Sequence, residues 1–260
     1  MLPHSQLRHH PRRNRIGETA MTTRAVGRGP RPGPGSGPGS GLGSGLVRLS
    51  AALAARDPEA LTARMRELAE PAEEVAVLDR ADATAIEEAL LQSYLFVGYP
   101  VTLNAIGLWR EISGRPAPPA SADDWDAWMQ RGAEVCRMVY GGKYEELREN
   151  VRALHPDFER WMVAEGYGKV LGRPGLELVD RELCIVAMLA VLDTQRQLYS
   201  HLRGALHAGA AEADIERALT EASAFTDEMV TARARESWRR VRERHGTADV
   251  ERDGADTSGA

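Results

Sequence analysis

From about Leu46 onward, apolar positions recur with the three-to-four-residue spacing of a helix, and no stretch shows the strict alternation of a strand. In EALTARMRELAE, Leu61, Met65, Leu68 and Ala69 share one face, and Asp57-Pro58 marks the start of that helix. The run ATAIEEALLQSYLFVGYPVTLNAIGLWREI predicts one long helix kinked at Gly98 and Pro100, because proline removes a backbone donor and crowds the turn before it. GRPAPPASADD reads as a linker. Trp125, Trp128 and Met129 open a helix to about Tyr140, Gly141-Gly142 break it, and short helices run through Leu147 and Trp161 to Tyr167.

The densest pattern follows. LCIVAMLAVL, from Leu183 to Leu192, is too long for a typical strand and too short to span a membrane, which predicts a helix buried nearly all round, with Asp180 as its N-cap. After a turn at Asp193, Thr194 and Gln197 have the spacing of a capping box at the start of a second helix, which closes at Gly209. Leu198, Leu202, Ala205 and Leu206 form the buried stripe of that helix, and His201 falls on the same face. Glu182 lies near the N-terminus of the preceding helix, where the macrodipole favours a carboxylate. An antiparallel hairpin permits, without requiring, contact between Glu182 and His201.

The chain also carries an internal similarity. A shift of 129 residues superposes Ile86, Glu87, Ala89, Leu90, Phe96, Val101, Thr102, Ala105, Trp109 and Arg110 on Ile215, Glu216, Ala218, Leu219, Phe225, Val230, Thr231, Ala234, Trp238 and Arg239. Each copy is expected to be the long third helix of a three-helix unit. The expected organisation is a tail over 1–45, a first, degenerate unit over 46–112, a linker over 113–122, a second unit with extra N-terminal helices over 123–246, and a second tail over 247–260. The same shift sets His201 on Ala72 and Glu182 on Leu53, so the first unit lacks both polar candidates and is expected to serve as a packing partner. It has instead Tyr94, Phe96, Tyr99, Pro100 and Asn104.

Composition narrows the functional classes. The first 45 residues are rich in Arg, Pro, Gly and Ser and offer too little apolar surface to offset the entropy of ordering; Met21 within them is an alternative start. Residues 1–48 hold eight Arg and one Glu, so the remainder is more acidic than the formal net charge of −5 suggests, which argues against a nucleic-acid partner. With no signal-peptide h-region and no transmembrane run, the expectation is a cytoplasmic protein without a membrane partner. The two cysteines, Cys136 and Cys184, imply neither a disulfide framework nor a zinc site. His201 and His207, six residues apart, point roughly 240° away from each other around a helix and do not converge on one metal ion.

Two readings of single residues stay open on this evidence. His201 is either a core histidine bonded to backbone carbonyls or a functional group. Arg173, in Gly172-Arg173-Pro174-Gly175, either offers a two-pronged contact to a carboxylate ligand or pins its own loop to a neighbouring helix or subunit.

The ordered set GKVLGRPGLELVDREL, the apolar helix, HLRGALHAG and AEADIERAL resembles the carboxymuconolactone decarboxylase family, which shares its helical fold with the alkylhydroperoxidases. The resemblance is dense from Gly168 to Leu219. It implies an all-α tandem repeat of an alkylhydroperoxidase-like unit and a lyase that acts without cofactor or metal on a small carboxylated lactone or related acid. It implies His201 as proton carrier, Glu182 as its partner, and Arg173, Tyr99 and Asn104 as substrate contacts. It also implies a homo-oligomer, a trimer for a two-unit chain, to which the apolar surface of AMLAVL would contribute. The alkylhydroperoxidases carry a Cys-x-x-Cys pair where this chain has Thr194 and Gln197, so dithiol peroxide reduction is not expected. The alternative reading is a non-catalytic ligand-binding or assembly protein of the same fold.

Overall fold

The computed structural model describes residues 41–70 and 80–256. Most of the basic tail, Ala72 and the last four residues lie outside the described residues. Among the described residues every regular element is helical. The elements are α1 (Gly41–Ala55), α2 (Pro58–Ala69), α3 (Arg80–Gln92), α4 (Tyr94–Val97), α5 (Tyr99–Ser113), α6 (Trp125–Tyr140), a 3₁₀ turn (Gly141–Lys143), α7 (Tyr144–Leu154), α8 (Pro156–Trp161), a π-helical segment (Met162–Leu171), α9 (Leu178–Val191), α10 (Gln195–His207), α11 (Glu212–Ser223) and α12 (Glu228–Asp256). Helix α1 thus begins inside the stretch read as a tail, and α12 runs past residue 246.

Local chemistry sets most boundaries. Asp57 caps α2 by accepting from the backbone N–H groups of Glu59 and Ala60, and Pro58 occupies the first turn, where no donor is needed. The expected kinked helix over 83–112 is instead three helices. Gly98 has φ of 83°, a conformation that L side chains rarely adopt, which stops α4; Pro100 then sits in the first turn of α5. Asp124 caps α6 through the N–H of Ala127. The internal similarity therefore spans a helix pair in each half, α3 with α5 and α11 with α12. Its positions Ile86, Ala89, Leu90, Ala105 and Trp109 are buried, as are Ile215, Ala218, Leu219, Ala234 and Trp238.

Helix α9 is the centre of the core. Every residue from Arg181 to Ala190 is buried, with α1, α10 and α11 packed around it. Burying side chains such as Ile185, Met188 and Leu189 contributes roughly 1.5–3 kcal/mol each, and α1 from the first half supplies one wall. The surface of AMLAVL is consequently consumed within one chain, and its expected place in a subunit interface is corrected. The large apolar side chains left exposed lie elsewhere, among them Leu154, Phe158 and Trp161 on α7 and α8.

Two glycines fix the other major contact, between α6 and the π-helical segment. A Cβ on Gly132 would stand 1.9 Å from the carbonyl oxygen of Val163, and one on Gly168 would stand 1.8 Å from that of Trp128. The two backbones therefore cross in near contact, and Arg131 Nε donates to the Gly168 carbonyl at 2.7 Å.

Candidate functional site

Helices α9 and α10 form the hairpin expected from the sequence, and they bring Glu182 and His201 together. His201 Nδ1 lies 2.8 Å from Glu182 Oε2. The carboxylate is fully buried and the imidazole side chain is 11% exposed. A carboxylate at Nδ1 accepts the proton there and leaves Nε2 as the nitrogen open to chemistry. The edge of Phe96, from α4, meets the His201 ring with centroids 6.1 Å apart. The first half of the chain therefore contributes to the surroundings of the histidine.

Gly204, one turn after His201, makes the close packing possible. A Cβ at this position would lie 3.0 Å from Glu182 Oε2 and 2.8 Å from Val139 Cγ1. A glycine inside a helix costs about 1 kcal/mol relative to alanine, and here it gives room to the carboxylate. The only local sign of this role in the sequence is a glycine inside the helical run HLRGAL. Near the same carboxylate, Tyr167 Oη donates to Tyr140 Oη at 2.8 Å, with the two rings edge to face. Glu182 Oε1 is buried without a hydrogen-bond partner.

Arg173 is engaged elsewhere. Its Nε and Nη2 donate to Glu88 on α3 at 3.0–3.1 Å, and Arg181 Nη2 reaches Glu88 Oε2 at 2.9 Å. Arg181 also donates to the carbonyls of Arg173 and Leu176. Of the two readings of Arg173, this geometry matches the one in which it pins its own loop. The carboxylate that it meets is 85 residues away in the chain and was invisible to sequence spacing. Tyr99 is 67% exposed and stacks on Tyr94, and Asn104 is exposed on the same helix; neither has a described contact with His201.

Two predicted side-chain caps are not formed. Thr194 makes no side-chain cap; its hydroxyl is 3.5 Å from the Leu189 carbonyl. Asp193, at φ of 54°, instead accepts from Gln195 and from Arg233 of α12. Glu177, not Asp180, holds the N-cap position of α9. The backbone at Thr194, φ −92° and ψ 73°, departs from the extended conformation that aims a capping hydroxyl inward. Gly209 does adopt the positive φ, 98°, expected just past a helix end.

The thiols are sealed. Cys136 and Cys184 are both free and buried, and burial pushes each up to about 12. His207 bonds the Val139 carbonyl at 2.6 Å, so it and His201 serve different partners.

Comparison with known proteins bears on the same region. Residues 156–238 match the carboxymuconolactone decarboxylase family. The match contains α9, α10 and α11, and with them Glu182, His201 and Gly204. The chain is also similar to Peroxisomal protein 2 of Schizosaccharomyces pombe, 30% identical over 137 residues, which cover 50% of this chain and 63% of the relative. No helix among the described residues is long and apolar enough to cross a membrane.

Proposed function

We propose that the chain is a lyase of the carboxymuconolactone decarboxylase type, using His201 as its general acid and base on a small carboxylated lactone or related acid. The observation that carries this reading is the 2.8 Å contact between His201 Nδ1 and the fully buried Glu182. In the reaction the bond to the departing CO2 breaks and its electron pair spreads into the conjugated lactone carbonyl. The resulting enolate carbon then takes a proton, which His201 delivers from Nε2 and regains from solvent. Glu182 fixes the tautomer and stabilises the imidazolium form in the interval. No step calls on a cofactor.

Arg173 acts in this proposal through the loop it shares with Glu88 and Arg181, holding α9 at the register that presents Glu182. Tyr99 and Asn104 are the proposed substrate contacts, reached across a subunit boundary in a homotrimer. The sealed thiols and the Thr194 and Gln197 side chains count against peroxide chemistry.

Glu182→Gln tests the reading. The amide keeps the shape and removes the charge, so kcat is expected to fall by about 10²–10⁴-fold with the helical circular dichroism unchanged. Full turnover on a substrate that the wild type decarboxylates would overturn the assignment.

A further inference from the structure

Helix α4 has only four residues, yet both of its ends are tied down. At its start the buried Ser93 Oγ donates to the Leu90 carbonyl at 2.6 Å and, with its one proton spent, accepts from Thr102 Oγ of α5 at 2.8 Å. At its end Gly98, at φ of 83°, turns the chain at once, and its carbonyl accepts the N–H of Thr102 at 3.3 Å. Val97 is buried, and Tyr94 packs on Tyr99 with ring centroids 4.9 Å apart. Phe96 therefore projects from a turn that side chains and backbone hold alike.

That turn sets the Phe96 ring nearly perpendicular to the His201 imidazole, at an interplanar angle of 80°. Phe96 is itself partly buried, and Glu182 already occupies Nδ1 of the histidine. A molecule arriving from outside must reach the rest of the imidazole beside a phenyl ring that cannot yield without undoing α4. We propose that Phe96 is the specificity residue of the site, a fixed wall from the first half of the chain that limits what reaches the open nitrogen of His201. A phenyl ring offers no charge and no strong hydrogen bond, so it selects by volume. It restricts the substrate to a small acid without added bulk at the carbon that takes the proton. The wall rests on geometry alone, whereas its consequence for substrate choice rests on the lyase reading.

The chain supplies its own comparison. Phe225, the counterpart of Phe96 under the 129-residue shift, is likewise partly buried and packs against the core. Removing either ring loosens packing, but only the loss of Phe96 opens the approach to His201.

The test uses the full chain and diethyl pyrocarbonate, which acylates an imidazole nitrogen that it can reach, with the His201 peptide followed by mass spectrometry. Phe96→Ala is expected to raise the rate at His201 severalfold. Phe96→Leu, which keeps part of the volume, should raise it less, with helical circular dichroism unchanged in both. Phe225→Ala should leave the His201 rate in place. In turnover, the wild type is expected to prefer 4-carboxymuconolactone over a homologue with one methyl group added at the carbon that is protonated. That preference in kcat/KM should fall about tenfold in Phe96→Ala. A His201 rate unchanged in both Phe96 variants, or raised as much by Phe225→Ala, would overturn the inference, whatever the activity. So would an unaltered preference in a Phe96→Ala chain that still turns over. A raised rate in a chain that turns over no lactone would uphold the wall and defeat the lyase reading instead.

Discussion

Cys184 shows how far burial alone decides the chemistry of a residue. Its thiol and that of Cys136 are pushed up to about 12 by burial, against about 8.5 for an exposed cysteine. Neither is a nucleophile at neutral pH. Native chain at pH 8 is expected to show no fast reaction with a thiol reagent, and both cysteines should react once it is denatured. Because the folded values are raised, the unfolded chain loses these protons first. The thiols' contribution to stability is therefore complete below about pH 8.5 and declines as pH rises towards 12. Denaturant midpoints measured at pH 8 and pH 10 should fall across that interval, and fall less in Cys184→Ala.

The sequence made some residues legible and hid others for a physical reason. His201 stood out because a polar group interrupted an apolar stripe, and Glu182 because it sat at a favourable helix end. The hairpin permitted their contact without requiring it. Arg173 was ambiguous because its partner, Glu88, is fixed by tertiary packing that no local spacing records. Residue type and, for Thr194 with Gln197, spacing pointed to caps at Asp180 and Thr194, whereas capping depends on backbone angles that tertiary contacts, such as Arg233 on Asp193, can override. Replacing Glu88 with Gln should destabilise the chain by about 3–5 kcal/mol, because it leaves the fully buried Arg181 without its counter-ion. Chemical denaturation measures this, and a loss under 1 kcal/mol would contradict the role given to the Arg173–Glu88–Arg181 cluster.

At the scale of elements, helix type and number were largely readable, but helix form was not. The period of apolar residues predicted α9 and α10 closely. It could not distinguish a kink from a break at Gly98, since that depends on a backbone angle, nor reveal that Met162–Leu171 is π-helical. The wider turn follows from the crossing with α6, where Gly132 and Gly168 face the opposing backbones. Gly168→Ala should therefore cost more than the ~1–3 kcal/mol typical of overpacking, since backbone rather than a side chain must move. A thermal melt within 1 °C of the wild type would show that this crossing is not tight.

For the whole molecule, the placement of α9 changes how its halves are understood. The first half closes the core through α1 and brings Phe96 to the histidine. That arrangement places the Glu182–His201 pair within a single chain. Exposed Leu154, Phe158 and Trp161 leave apolar surface for the proposed trimer, and light scattering on the purified chain should give three times the chain mass of 28.4 kDa. A monomer at micromolar concentration would contradict the trimer and with it the cross-boundary role of Tyr99 and Asn104, and leave the Glu182–His201 pair as it is.

In the proposed decarboxylation the Glu182–His201 pair moves the proton. This transfer is tested most directly by following the absorbance of 4-carboxymuconolactone with wild type and His201→Gln side by side. Loss of substrate with release of CO2 in the wild type alone is the predicted result. Equal turnover in both proteins, or none in either, would contradict it.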